Sequence, residues 1–93
     1  MIRLDEYEEV LVRQQATYIN NKHERVVGDL YVTSKRVVFD PKNQDPDGMI
    51  QITLSQIRFI DEIDFSKLIH EGIEIVVDTG EKYKFSFLKR VDI

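Results

Sequence analysis

Strict alternation of apolar and polar residues recurs along most of this chain, and only a β-strand turns such a pattern into one buried face. Leu30 and Val32 alternate with Asp29, Tyr31 and Thr33, and Ile50, Ile52 and Leu54 with Gln51 and Thr53. Ile73, Ile75 and Val77 alternate with Glu74, Val76 and Asp78, and Tyr83, Phe85 and Phe87 with Lys82, Lys84 and Ser86. The whole pattern gives seven strands, near residues 10–20, 24–33, 36–41, 48–54, 57–64, 72–78 and 81–87. Asp5 and Glu8 stand at capping-box spacing, so residues 5–9 form either a helical turn or an extended lead-in. With 93 residues, no linker and no internal repeat, the chain reads as one all-β domain over residues 1–93.

Turn chemistry fixes two registers. A three-residue loop Asp78-Thr79-Gly80, with Gly80 left-handed, keeps Ile75 and Tyr83 on one face and sets Glu74 opposite Lys84. The turn Thr33-Ser34-Lys35-Arg36 lets Val32 face Val37 and Leu30 face Phe39. A third turn is marked by Asp45-Pro46-Asp47-Gly48. The expected core is Leu30, Val32, Val37, Phe39, Ile50, Ile52, Leu54, Ile60, Ile73, Ile75, Tyr83, Phe85 and Phe87. A small barrel or a two-sheet sandwich would bury them.

Composition narrows the function. A net charge of −4 argues against a dedicated nucleic-acid binder, which needs a basic face. The absence of cysteine removes disulfides, thiolate metal sites and a cysteine nucleophile. No apolar run is long enough to span a bilayer, and the opening Met1-Ile2-Arg3-Leu4-Asp5-Glu6 builds no apolar signal region. A soluble, cytoplasmic domain is expected. His23 and His70 stand alone, the serines lack a nucleophile-elbow pattern, and the four glycines are scattered. Asn43 to Gly48 imitates the start of a calcium loop, but Leu54 occupies the position of the closing glutamate and Pro46 interrupts the loop. Asp61, Glu62, Asp64 and Glu71 have no ligand spacing and read as a solvated strand face. The expectation is a non-enzyme with no metal and no cofactor.

The block Gly28-Asp29-Leu30-Tyr31-Val32-Thr33-Ser34-Lys35-Arg36-Val37-Val38-Phe39 resembles the central pattern of GRAM domains, a branch of the pleckstrin-homology superfold. Glu9 stands where that family places a glutamate before its first strand. Ile52, Leu54, Ile57 and Ile60, then Gly80, Tyr83, Phe85, Phe87 and Arg90, resemble later parts of the pattern. Leu54 to Ile60 is also similar to the GLUE domains, which bind phosphoinositide and ubiquitin. The resemblance implies a seven-stranded, partly open, pleckstrin-like barrel. Such barrels end in a helix across one mouth, whereas only Leu88 to Ile93 follow the last strand here, so that helix is read as absent or truncated. The bare mouth would then be covered by the chain's own ends (Ile2, Leu4 and Tyr7, or Leu88, Val91 and Ile93), by a native continuation, or by a second copy. A homodimer is the favoured expectation.

The family's phosphoinositide rim, made by the first-second, third-fourth and sixth-seventh strand loops, would here hold Lys22, His23, Arg25, Lys42 and Lys82. Five carboxylates (Glu24, Asp45, Asp47, Asp78 and Glu81) stand against four firm positive charges, a poor field for an anionic headgroup. Lys35 and Arg36 lie at the other end. The resemblance and this charge count imply an adaptor-like binding module that docks onto a protein partner, at a membrane or away from one. Tyr31, Val38 and Val76, alternating outward from the core, are the candidate contact patch. The alternative is a module for phosphoinositide or another anionic lipid, peripheral at a membrane.

Overall fold

A computed structural model describes residues 3–43, 48–63 and 70–88. Seven strands carry it: β1 (Val10–Ile19), β2 (Arg25–Thr33), β3 (Arg36–Pro41), β4 (Ile50–Thr53), β5 (Ile57–Ile63), β6 (His70–Val77) and β7 (Lys82–Leu88). They form one antiparallel sheet in the order β4-β3-β2-β1-β7-β6-β5. β1 joins the two halves. It pairs with β2 from Val10↔Thr33 to Ile19↔Arg25, and with β7 through Thr17↔Ser86, Tyr18↔Phe85 and Ile19↔Lys84. The edge strands β4 and β5 do not pair with each other among the described residues, although only the 3₁₀ turn Leu54–Gln56 separates them. The all-β, partly open pleckstrin-like barrel is therefore the observed architecture.

Both derived registers hold. Val32↔Val37 and Leu30↔Phe39 pair across β2 and β3, and Ile75↔Tyr83 and Glu74↔Lys84 across β6 and β7. Lys84 Nζ lies 3.8 Å from Glu74. Gly80 has φ +91, the left-handed state that a three-residue bulged hairpin requires. Gly28 serves a different end: a Cβ there would lie 2.4 Å from the Asp40 carbonyl oxygen and 2.8 Å from Phe39 Cζ. The leading glycine of the GRAM-like block is a packing necessity between β2 and β3.

The core gathers Leu30, Val37, Phe39, Ile52, Ile75 and Phe85 with Ala16 and Val77, and Val32, Ile50, Ile73, Tyr83 and Phe87 pack against it. Phe39, Phe85 and Tyr18 form its aromatic centre, with ring centroids 5.4–5.9 Å apart, tilted as quadrupoles prefer. Two expected core residues are not buried. Leu54 is 40% exposed because the chain leaves β4 one residue earlier than its alternation suggests. The Leu54 amide donates to the Lys35 carbonyl and the Gln56 side chain accepts from the Thr53 amide, which turns a tight corner there. Ile60 pairs with Ile75 on the core side yet is 51% exposed, because β5 is the last strand of the sheet. The turn at Asp45-Pro46-Asp47 and the positions of Ile2, Val91 and Ile93 lie outside the described residues.

Candidate functional site

The rim expected from sequence is built by strand ends. Ile19↔Arg25 closes the β1–β2 loop, Ile19↔Lys84 sets the start of β7 beside it, and the Lys42 amide donates to the Val27 carbonyl at 2.9 Å. Lys22, His23, Arg25, Lys42 and Lys82 are all exposed. Asn20 organises the loop between them, its side-chain oxygen accepting from the amides of Lys22 at 2.9 Å and Glu24 at 3.0 Å. His23 takes φ 62 in that loop, and its amide donates to the Asn20 carbonyl. The amides of Lys22, His23 and Glu24 are thus engaged within the loop, unlike the free amides of a phosphate-cradling nest. Nearby, the Tyr83 hydroxyl donates to Glu81 at 2.7 Å. That bond, with burial behind it, pushes the Tyr83 phenol up to about 12.

The apolar patch expected from alternation is corrected by the structure. Tyr31, Val38 and Val76 do stand outside the core cluster, but they are 5%, 0% and 5% exposed. A row runs across the sheet from Arg13 through Tyr31 and Val38 to Gln51, all directly paired. The Arg13 guanidinium lies 5.4 Å from the centre of the Tyr31 ring, and the Gln51 side chain receives Arg36 Nη1 at 2.9 Å. Val76 sits between Phe59 and Lys82 in its own row, where a long aliphatic stem and a ring flank a short side chain. The exposed large apolar residues are elsewhere: Tyr7, Leu11, Val12, Leu54, Phe59 and Ile60 among them.

The principal polar constellation on this outer face is one whose partners the sequence pattern does not signal. Glu8, not Glu9, is the buried glutamate, with its side chain wholly shielded. Its Oε2 accepts from Thr33 Oγ1 at 2.6 Å and Arg36 Nε at 2.8 Å, and its Oε1 from Arg36 Nη2 at 3.0 Å and the Asp5 amide at 2.9 Å. Thr33 Oγ1 in turn accepts from the amides of Lys35 and Arg36, which fixes the β2–β3 turn. Arg36 also donates to the Arg3 carbonyl, and Lys35 Nζ to the Glu6 carbonyl at 3.0 Å. Glu9 and Ser34 exchange two further bonds, the Ser34 amide to the Glu9 carbonyl and the Glu9 amide to Ser34 Oγ. The segment before β1 is therefore laced to the β2–β3 turn. The turn residues of the GRAM-like block hold the fold here; they are not a free basic patch. Capping-box spacing gave a hint of the Asp5–Glu8 turn, but nothing local signals a partner at Arg36.

The Arg36 guanidinium, helped by the Thr33 hydroxyl and the Asp5 amide, lowers the Glu8 carboxyl to about 2 from the usual 4.5. A folded-state value below the unfolded one contributes stability above the ordinary carboxylate pKa, and that contribution disappears as pH falls toward the folded one. The midpoint of urea unfolding should therefore drop between pH 4.5 and about 2. Glu8→Gln should start lower at neutral pH and lose less over the same window. Equal acid slopes for the two proteins would mean that Glu8 is not the titrating group.

Comparison with known proteins follows the same lines as the geometry. A crystal structure of the C-terminal domain of an unknown protein from Leishmania infantum superimposes with a TM-score of 0.74 at 15% identity, covering 87% of this chain and 72% of that one. That likeness is one of fold. No curated protein matches the chain. The family model of the GRAM domain matches residues 1–92, and the chain therefore belongs to the GRAM domain family.

Proposed function

We propose that this GRAM domain is a non-catalytic docking module of the cytoplasm whose ligand is a protein, and that any attachment to a membrane runs through that partner. The observation that carries the reading is the loop rim. Each basic residue near an anionic surface is worth roughly 1 kcal/mol, and here the attraction of Lys22, Arg25, Lys42 and Lys82 is offset by interleaved carboxylates. The Asn20 side chain moreover occupies the amides of Lys22 and Glu24 that would otherwise receive a phosphate. Exposed Leu54, Phe59 and Ile60 offer apolar area of the kind protein contacts use. Among the described residues no helix is long and apolar enough to cross a membrane.

Anionic lipid is the alternative ligand, and co-sedimentation with liposomes of each phosphoinositide class at modest salt separates the two. The protein is expected to stay in the supernatant. Salt-sensitive pelleting that Lys22→Ala combined with Arg25→Ala removes would overturn the protein-first reading in favour of the lipid one.

A further inference from the structure

We propose, resting on the protein-docking reading, that the β2–β3 turn is an acceptor for an acidic peptide segment of the partner. Residues 3–9 occupy that acceptor in cis, and the partner's segment displaces them. Of these residues only Glu8 is buried; every other side chain from Arg3 to Glu9 is exposed. Backbone therefore carries most of the attachment. The carbonyls of Arg3, Glu6 and Glu9 accept from the Arg36 guanidinium, Lys35 Nζ and the Ser34 amide, and the Glu9 amide donates to Ser34 Oγ. The one side chain that the turn grips is the Glu8 carboxylate, forked by Arg36 Nε and Nη2 and met by Thr33 Oγ1. Main-chain bonds with one charge-assisted fork are how linear peptides are commonly held. Such a site asks its occupant for a suitable backbone and a single carboxylate.

The occupant in place is not the best one for the site. Tyr7 precedes the gripped carboxylate at φ 63, a left-handed conformation that is strained for a bulky residue. Its ring is 90% exposed and recovers little of that strain through packing. Asparagine or glycine at that place would dock without it. The cis segment holds its position through tethering, which gives it a high effective concentration. A free segment with a left-handed-tolerant residue before its glutamate binds better molecule for molecule. Charge sets the rest of its chemistry. Asp5, Glu6 and Glu9 flank the gripped Glu8 position, and the turn that receives them carries Lys35 and Arg36, so the competing segment is acidic. Once Glu8 leaves, the Arg36 side chain, only 17% exposed, loses its counter-ion, and a shielded unpaired charge favours an incoming carboxylate.

Titration of the isotope-labelled full chain with a synthetic peptide of residues 3–9 carrying Tyr7→Asn tests the proposal by nuclear magnetic resonance. Glu8→Gln in the chain weakens its own segment, and the amide spectrum reports directly that the sheet is intact. The peptide should then shift the Ser34, Lys35 and Arg36 amides saturably. It should bind the parent chain about tenfold more weakly or worse, because the tethered segment competes. A peptide with Tyr7 retained should bind several-fold more weakly than the Tyr7→Asn peptide. Adding Glu8→Ala to the peptide, or Arg36→Lys to the Glu8→Gln chain, should remove most of the binding. If Glu8→Gln does not fold, the parent chain at millimolar peptide carries the test through the same three amides. A folded acceptor that ignores the peptide, or binding indifferent to Glu8→Ala in the peptide, would overturn the proposal. Pelleting with liposomes would instead remove the protein-first reading while these shifts persisted, so the two failures are distinct.

Discussion

Replacing Phe85 with alanine should remove roughly 3–5 kcal/mol of unfolding free energy, a large part of the 5–15 kcal/mol that holds a typical domain together. Phe85 is completely buried, and its ring packs 5.4 Å from Tyr18 and 5.5 Å from Phe39. Those three rings come from β7, β1 and β3. The β1–β7 seam is the only ladder joining the two halves of the sheet among the described residues, and it is only three pairs long. Phe85 stands at its middle pair, Tyr18↔Phe85. Truncation therefore opens a cavity at the joint, where few backbone bonds remain to limit the loosening. Phe87, on the same face but half-buried, serves as the comparison; its truncation should cost clearly less in urea titrations. Equal losses at the two positions would show that the aromatic centre is not where stability concentrates.

What could be read from the sequence was whatever depends on neighbours along the chain. Alternation and the residues of two tight turns specify the hairpins of β2–β3 and β6–β7, because strand pairing has period two and a single left-handed Gly80 suits the loop. Ile60 shows the limit. It does pair with Ile75 on the core side, but its exposure depends on how many strands lie beyond it, which no local pattern records. The same holds for Tyr31, Val38 and Val76, whose outward orientation is legible and whose burial is not, since cross-strand neighbours and long side chains cover them. Glu8 is the sharpest case. Tyr7, 90% exposed, takes φ 63 immediately before it, a conformation that costs a bulky residue of order 1–3 kcal/mol. The bonds that hold Glu8 in place reach 25 and 28 residues along the chain, to Thr33 and Arg36.

Replacing Gly28 should cost far more than replacing Gly80, because the chain needs glycine at each for a different reason. At Gly80 nothing lies within 4 Å of a built Cβ, and only φ +91 disfavours a side chain. Asparagine tolerates the left-handed region, so Gly80→Asn should cost about 1 kcal/mol or less. At Gly28 space decides. The Cβ of alanine would meet the Asp40 carbonyl oxygen at 2.4 Å and Pro41 Cα at 2.8 Å, both backbone atoms of β3. Phe39 Cζ, also 2.8 Å away, belongs to a ring with no exposed surface and no room to withdraw. Relief requires β3 to move off β2 at the Gly28↔Pro41 pair, where the Lys42 amide also bonds to Val27. Overpacking costs about 1–3 kcal/mol when side chains absorb it, and a clash with backbone belongs at or above the top of that range. Gly28→Ala should therefore lower the urea midpoint far more than Gly80→Asn. It should also disturb the end of β3 that carries Lys42, visible as faster amide exchange at Lys42. A Gly28→Ala protein as stable as the parent would mean that the β2–β3 approach is looser than these distances require.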